Sequence, residues 1–377
     1  MSTSLAHRPS GPWSLALRVD VVLGLSTLIV AAIGVVLVYS ATRSKLALAG
    51  INSHYFLTRQ AAFVVVGVVV MVVLAALDYR WLEHASAVLY VGMILALLAM
   101  FAIGHRALGA TRWIQLGPLQ VQPSAFAALV LIVTVATFCA RRPEGLGLGD
   151  VLKVLGLASV PIILVVKQPD LGSGIVMWVV LLVMLVVAGT PNRYLLLLVV
   201  FAALGALAIV HLKLLKDYQL HRITAFLQPG KNLQTSSYNV TQSVAAIGSG
   251  GLRGTGLFHG PQTNLAYVPE QQTDFIFSAV GEQLGFIGAA GVLVLLGLIS
   301  WRCLRSAQLA RDAFGRLLAT GCFTLIAFSV FENAGMAMGI MPVAGIPLPF
   351  ISYGGSATVA FFAAVGICSS VYMRHQR

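Results

Sequence analysis

The sequence predicts an all-α fold, a polytopic transmembrane helical bundle of about ten spans. Three observations predict it. Of the 377 residues, 58% are hydrophobic and only 10% charged, far below the roughly 25% charged residues of an ordinary soluble domain. Apolar runs of about 17 to 25 residues, the length that crosses a ~30 Å hydrocarbon layer, recur along almost the whole chain. Lys and Arg gather between these runs rather than inside them. Residues 1–377 are therefore expected to form a single membrane domain with no detachable soluble module.

The first run, Val21–Tyr39, is too long for a signal-peptide core and lacks a convincing cleavage site, so it is expected to stay as span one. Leu57–Leu77, Ser86–Gly104, Ser124–Ala140, Val151–Val166, Gly172–Gly189 and Tyr194–Leu212 follow as spans two to seven. Phe275–Ser300, Leu317–Met338 and Ala357–Met373 complete the set. Placing both termini in the cytoplasm puts Arg141, Arg142, Arg302, Arg305, Arg311, Arg316, Arg374 and Arg377 inside, as the positive-inside rule requires.

Between spans seven and eight lies a long segment, residues 213–273, which this topology places outside the membrane on the extracytoplasmic face. Loops beyond about 12 to 15 residues are uncommon unless functional or disordered. Its apolar residues, among them Tyr238, Val244, Ile247 and Phe258, argue against disorder. A partly ordered flap on the membrane surface, with short amphipathic helices, is expected. After span nine, Met341–Phe350 is apolar yet holds three prolines, so it cannot be a continuous helix. Irregular backbone at membrane depth persists only when buried by protein or lining a cavity. A re-entrant or tightly packed loop is predicted.

The net charge of +12 comes without a long Lys/Arg run or a nucleic-acid motif, so no nucleic-acid partner is expected. Cys139, Cys303, Cys322 and Cys368 all fall in or at the ends of apolar runs, where they act as small hydrophobes. Only 12 acids exist. Asp20, Asp78, Glu83, Glu144, Asp150 and Asp312 fall on the cytoplasmic side, leaving Asp170, Asp217, Glu270, Asp274, Glu282 and Glu332. An unpaired carboxylate costs several kcal/mol in hydrocarbon, so those must meet water, protein or substrate. Asp274 opens span eight, and Ser278 and Glu282 follow at four-residue intervals, which would place all three on one helical face. Asp274 is the leading candidate for catalysis or binding, Ser278 and Glu282 for shaping or contacting a substrate. Glu332, beside Asn333, is read as fixing helix packing. Arg59, Arg112, Lys167, Arg222, Lys231 and Arg253 are cations able to hold a phosphate or a lipid headgroup through charge-assisted hydrogen bonds.

Four stretches carry a resemblance. They are Arg112-Trp113-Ile114-Gln115-Leu116-Gly117-Pro118 running on to Gln122-Pro123-Ser124; Gln168-Pro169-Asp170-Leu171-Gly172; Gly256-Leu257-Phe258-His259-Gly260-Pro261-Gln262 continuing to Thr273-Asp274-Phe275-Ile276-Phe277; and Gly345 to Ser356. Together they resemble the shape, elongation, division and sporulation (SEDS) family typified by RodA and FtsW, over nearly the whole chain. Gly256–Gly260 and Val268–Asp274 look more like the elongation branch. The resemblance implies a peptidoglycan glycosyltransferase that polymerises lipid II at the outer face of the bacterial plasma membrane during elongation. It implies a class B penicillin-binding protein transpeptidase and other elongation-complex membrane proteins as partners. Asp274 matches the family's essential aspartate. It would serve as general base toward the acceptor hydroxyl, or hold Mg2+ or Mn2+ through hard oxygen ligands. Arg112, Lys167 and Arg222, with Arg59, would contact the lipid pyrophosphate. Direct displacement with inversion needs one protein base, not a glycosidase-like carboxylate pair.

One departure stands out. The family usually follows Gln-Pro-Ser with Glu and, three residues on, Lys, whereas this chain has Ala125 and Ala128. Such a pair would meet at i,i+3 on a helix, and losing both partners together is often neutral where losing one is costly. Ala344 replaces a common Thr. Two rival functions remain at this level, a lipid II flippase and an inactive scaffold for the transpeptidase. Intramembrane acids and proline-broken segments also mark carriers.

Overall fold

The computed structural model describes residues 19–103, 105–107, 110–116, 119–142, 145–211 and 236–375. Helices run over α1 Val21–Leu48, α2 Tyr55–Ala76, α3 Arg80–Ile103, α4 Pro123–Ala140, α5 Leu148–Lys167, α6 Leu171–Val187 and α7 Asn192–His211. They continue as α8 Ser236–Ser249, α9 Pro261–Asn264, α10 Ile276–Gln308, α11 Ala313–Ala337 and α12 Gly355–Met373. Each apolar run expected to span coincides with one of these helices. Among the described residues, 8 helices are long and apolar enough to cross a membrane, and Leu171–Val187 and Asn192–Ala202 are shorter apolar helices.

Between α3 and α4 the chain forms a small antiparallel sheet, β1 His105–Ala107, β2 Ala110–Leu116 and β3 Leu119–Val121, in the order β1-β2-β3. From the sequence alone this stretch reads only as the connection between spans three and four. Ile114 pairs with Val121 and Leu116 with Leu119.

The bundle is held by close helix contacts and by buried polar caps. A Cβ on Gly366 of α12 would lie 2.6 Å from the Met71 carbonyl oxygen of α2, so only glycine permits that approach. Gly34 of α1 fits the same way against the Phe350 and Ile351 backbone. Asp20 caps α1 by accepting from the Leu23 N–H, and its other oxygen pairs with Arg302 of α10 at 2.7 Å. Arg374 donates to the Ala75 and Ala76 carbonyls, which the end of α2 would otherwise leave unmet.

Two helices run on well past the C-terminal ends of their apolar runs. α1 continues past Tyr39 to Leu48, carrying Arg43 and Ser44 up to the long loop. Arg43 donates to the Phe258 carbonyl at 2.7 Å, and Ser44 to the Asn264 side chain at 3.1 Å. α10 continues to Gln308, burying Cys303, Ser306 and Ala307 along one side, with Arg302 engaged by Asp20.

The described part of the long loop, residues 236–273, is ordered and packed against the bundle. α8 buries Ser237, Ser243 and Ala246, and Ser243 donates to the Ala337 carbonyl at the end of α11. Beyond it, the chain is spliced into α10. That helix breaks at Gly285 (φ 67°). The Thr255 and Gly256 N–H groups donate to the Glu282 and Gln283 carbonyls, while Phe286 and Ile287 donate to the Gly251 and Leu252 carbonyls. The loop thus supplies the partners the broken turn has lost. A Cβ on Gly254 would lie 2.2 Å from the Gln283 carbonyl oxygen, and φ there is +81°, so glycine is required twice over.

Candidate active site

The proline-containing segment after α11 folds back into the bundle, as predicted. Ile346, Leu348, Phe350 and Ile351 are buried. Ser352 donates its N–H to the Leu348 carbonyl and receives the Leu348 N–H on its hydroxyl, closing a tight turn where no helix can form.

Beside this segment lies a cavity of about 620 Å³. Its walls come from α2, α4, α6, α11 and α12, and it reaches the surface at the exposed Gln120 and Glu270. Four charged residues line it, Arg59, Asp170, Glu270 and Asp274. Ala128, Val176, Leu325 and Phe361, further along their helices, make the deeper wall mostly apolar, with Ser329 among them. A mouth of charge over an apolar interior suits a ligand with a polar head and an apolar tail.

Asp274 sits in a turn, not on the helix. α10 starts at Ile276 with Phe275 as its cap. The Glu270 carbonyl accepts from the Thr273 and Asp274 N–H groups at 3.2 and 3.1 Å, and Glu270 itself holds a left-handed φ of 49°. Side chains with a Cβ rarely adopt that conformation, and it persists only where the surroundings hold it. Three anchors do so. Asn333 donates to the Asp274 carbonyl at 2.8 Å, the Tyr353 N–H to the Gln272 carbonyl at 2.8 Å, and the Gln271 amide to Ser278 at 3.0 Å.

Across the cavity wall, Asp170 caps α6 and is 3% exposed. Its Oδ2 accepts from Ser124 and Ser173 hydroxyls at 2.9 Å each and from Gln122 at 3.2 Å, and Oδ1 accepts from the Ser173 N–H at 3.2 Å. This cluster ties the starts of α4 and α6 together. Gln122 also donates its N–H to Ser356 at the start of α12.

The residues singled out from the sequence divide. Arg59 is at the cavity, stacked over Tyr55 at 4.4 Å, and Tyr353 lines the same cavity. Asp274 lines the same cavity. Lys167 ends α5, exposed and outside the lining. Arg112 lies on β2 with its side chain outside the described set, and Arg222, Lys231 and Asp217 lie outside the described residues altogether. Arg253 is exposed on the loop.

Ser278 and Glu282 do not share a face with Asp274, because helical spacing cannot be extended back through a turn. Both are fully buried, off the cavity. Ser278 donates to the Phe275 carbonyl at 2.7 Å, and Glu282 accepts from the Gln262 and Thr263 N–H groups at 2.7 and 3.0 Å. They are occupied in holding the loop, not in contacting a cavity ligand. Glu332 is buried on α11 beside Asn333. Asp170 and Glu270 were singled out as acids but given no site role. The Gln168–Gly172 stretch, already unusual in sequence, was the available signal for the first. Ala125 and Ala128 both line the cavity, so the missing Glu/Lys pair would have stood in its wall.

Comparison with known proteins fits this architecture. The FtsW/RodA/SpoVE model, described as cell cycle protein, matches residues 21–377. The chain is 37% identical over 362 residues to a probable peptidoglycan glycosyltransferase FtsW of Geobacter metallireducens, covering 95% of each chain. It is 38% identical over 314 residues to the peptidoglycan glycosyltransferase MrdB of Escherichia coli K12, covering 83% of this chain and 85% of that one. Among solved structures, it matches a chain from work on the structural coordination of polymerization and crosslinking by a peptidoglycan synthase complex. The TM-score is 0.80 at 29% identity, covering 95% of this chain and 99% of that one. With its helices, its re-entrant segment and its acid-lined cavity all inside the matched region, the chain belongs to the FtsW, RodA and SpoVE family of cell cycle proteins.

Proposed function

We propose that this chain is a peptidoglycan glycosyltransferase of the plasma membrane, and that it polymerises lipid II in the acid-lined cavity during cell elongation. The observation that carries the reading is the placement of Asp274 and Arg59 on one cavity that is polar at its mouth and apolar within. Lipid II has the same division, a sugar-peptide and diphosphate head on a polyprenyl chain. With both termini cytoplasmic, the cavity mouth opens on the outer face. The elongation role is supported by the Gly256–Gly260 and Val268–Asp274 stretches.

The reaction forms a bond from the acceptor sugar hydroxyl to the donor anomeric carbon and breaks the bond from that carbon to the lipid diphosphate. Asp274 takes the hydroxyl proton, and one base suffices for a displacement with inversion. Arg59 offsets charge on the leaving diphosphate. Asn333 and Tyr353, through the backbone, hold the Asp274 turn while the reacting groups are aligned.

A divalent ion fits only in part. Among the described residues no group of three or more His, Cys, Asp or Glu could hold a metal ion. Magnesium commonly rests on one or two carboxylates plus substrate phosphates, so in the alternative to the base role Asp274 would hold Mg2+ or Mn2+ together with the diphosphate. Such an ion supplies added stabilisation of the leaving charge. A class B penicillin-binding protein transpeptidase is the proposed partner. The support is the likeness to a chain studied within a peptidoglycan synthase complex.

The test uses the purified chain, alone and with its transpeptidase, given lipid II with and without Mg2+. Glycan polymer is expected from the wild type and none from Asp274→Asn. Full polymerisation by that variant would sink the general-base reading. Translocation of labelled lipid II across vesicles without polymer would identify a flippase, and neither activity would identify a scaffold.

A further inference from the structure

We propose that Glu282 is a positioning residue for Asp274, acting through Thr263 and Gln271. The inference rests on the reading that Asp274 meets the substrate. Glu282 is fully buried and one turn from the Gly285 break, with no cation on it among the hydrogen bonds and ion pairs described. Its carboxylate receives the Gln262 N–H on one oxygen and the Thr263 N–H and hydroxyl on the other, the hydroxyl at 2.5 Å. Charge-assisted hydrogen bonds of this kind are short and strong.

The direction of each proton follows. The Thr263 hydroxyl donates to the Glu282 carboxyl oxygen, so it can offer Gln271 only a lone pair. Ser278 spends its proton on the Phe275 carbonyl and likewise can only accept. The Gln271 amide nitrogen lies 3.1 Å from the Thr263 hydroxyl and 3.0 Å from the Ser278 hydroxyl, donating to both. Gln271 is 3% exposed and belongs to the turn that begins at Glu270 and presents Asp274. A neutral amide at 282 could turn its NH2 toward Thr263. That would reverse the hydroxyl, set donor against donor at Gln271, and release the turn on this side. Asn333 and Tyr353 would still hold the other side.

A structural role confined to docking the loop predicts loss of folding. The positioning role predicts loss of turnover in a folded enzyme. Two variants separate them. Glu282→Gln alters the origin of the chain of hydrogen bonds. Thr263→Val cuts only the link, because both backbone N–H groups still reach the carboxylate. In full-length protein with its transpeptidase, each is expected to lower kcat for lipid II polymerisation at least tenfold. KM should stay within about twofold, and thermal unfolding in detergent should stay close to wild type for Thr263→Val. Thr263→Ser restores the hydroxyl and should recover most of kcat. Wild-type kcat in Thr263→Val would overturn the proposal, as would a rise in KM with kcat unchanged. Asp274→Asn is measured in parallel. If it polymerises normally, the reading of the cavity fails. If it is inactive while Thr263→Val is normal, only the positioning role fails.

Discussion

The Asn333 amide nitrogen lies 2.8 Å from the Asp274 carbonyl oxygen and 2.7 Å from that of Ile346, so one buried side chain joins the acidic turn to the re-entrant segment. Asn333→Leu leaves two interior carbonyls unmet, at about 1–3 kcal/mol each. Asn333→Asp is expected to be worse, since a carboxylate oxygen would then face two carbonyl oxygens. Both variants should lower the unfolding temperature in detergent and reduce polymerisation at least tenfold. An Asn333→Asp protein with wild-type stability would show that these bonds do not hold the turn.

Asp170 gathers four donors on two oxygens. Asparagine offers one oxygen and brings two donors of its own, so Asp170→Asn should separate the starts of α4 and α6. A loss of about 2 to 4 kcal/mol is expected from breaking a buried charge-assisted network. Thermal unfolding gives the stability. Cysteine cross-linking between the two helix starts reports their separation, and an unchanged yield would count against this role.

The alanines at 125 and 128 give a third expectation. Ala125→Glu alone puts an uncompensated carboxylate in the cavity wall and should destabilise by about 3 kcal/mol or more. Adding Ala128→Lys one turn along supplies the partner and should recover most of that. If the double variant is as unstable as the single one, the two positions do not face each other.

At the opposite end of the bundle, Asp312 caps α11. It accepts from the Gly315 N–H and the Tyr79 hydroxyl, both at 2.7 Å, and from Arg80 at 3.2 Å. Burial pushes its pKa up, but these three donors outweigh it and hold the carboxyl below its ordinary value. Its contribution to stability is therefore present above the ordinary carboxylate pKa of about 4 and is lost as pH falls through the lowered one. Tyr79 is pushed up to about 12, by burial first and then by its bond to Asp312. Its contribution holds at neutral pH and is lost only as pH rises through that value. The difference in unfolding temperature between wild type and Asp312→Asn should be widest near neutrality and shrink below about pH 4. A constant difference across that range would contradict the assignment.

The spans were legible because lipid imposes a length and an apolar composition that any run of Val, Leu and Ala declares. The re-entrant segment was legible for the opposite reason. Pro342, Pro347 and Pro349 forbid a helix in a stretch too apolar to leave the membrane. Asp274 was legible as a carboxylate beside an apolar run. Its neighbours were misread, because a four-residue spacing gives a shared face only if the helix has begun, and here the chain is still in a turn held by Glu270. The splice between the loop and α10 left only a cluster of glycines in the sequence. Those predict conformational freedom but not which distant carbonyls they approach. The apolar residues of the loop were read as argument against disorder, and the structure uses them unevenly, with Ile247 partly buried against the core and Val244 left exposed.

The break at Gly285 has a further meaning for how the molecule opens. Thr255, Gly256, Phe286 and Ile287 trade hydrogen bonds across two stretches of chain, so neither stretch can expose its amides while the other stays closed. Their hydrogen exchange should rise and fall together as a single cooperative unit. The short helical piece from Ile276 to Leu284 should open with the loop, while the rest of α10 stays protected within the bilayer.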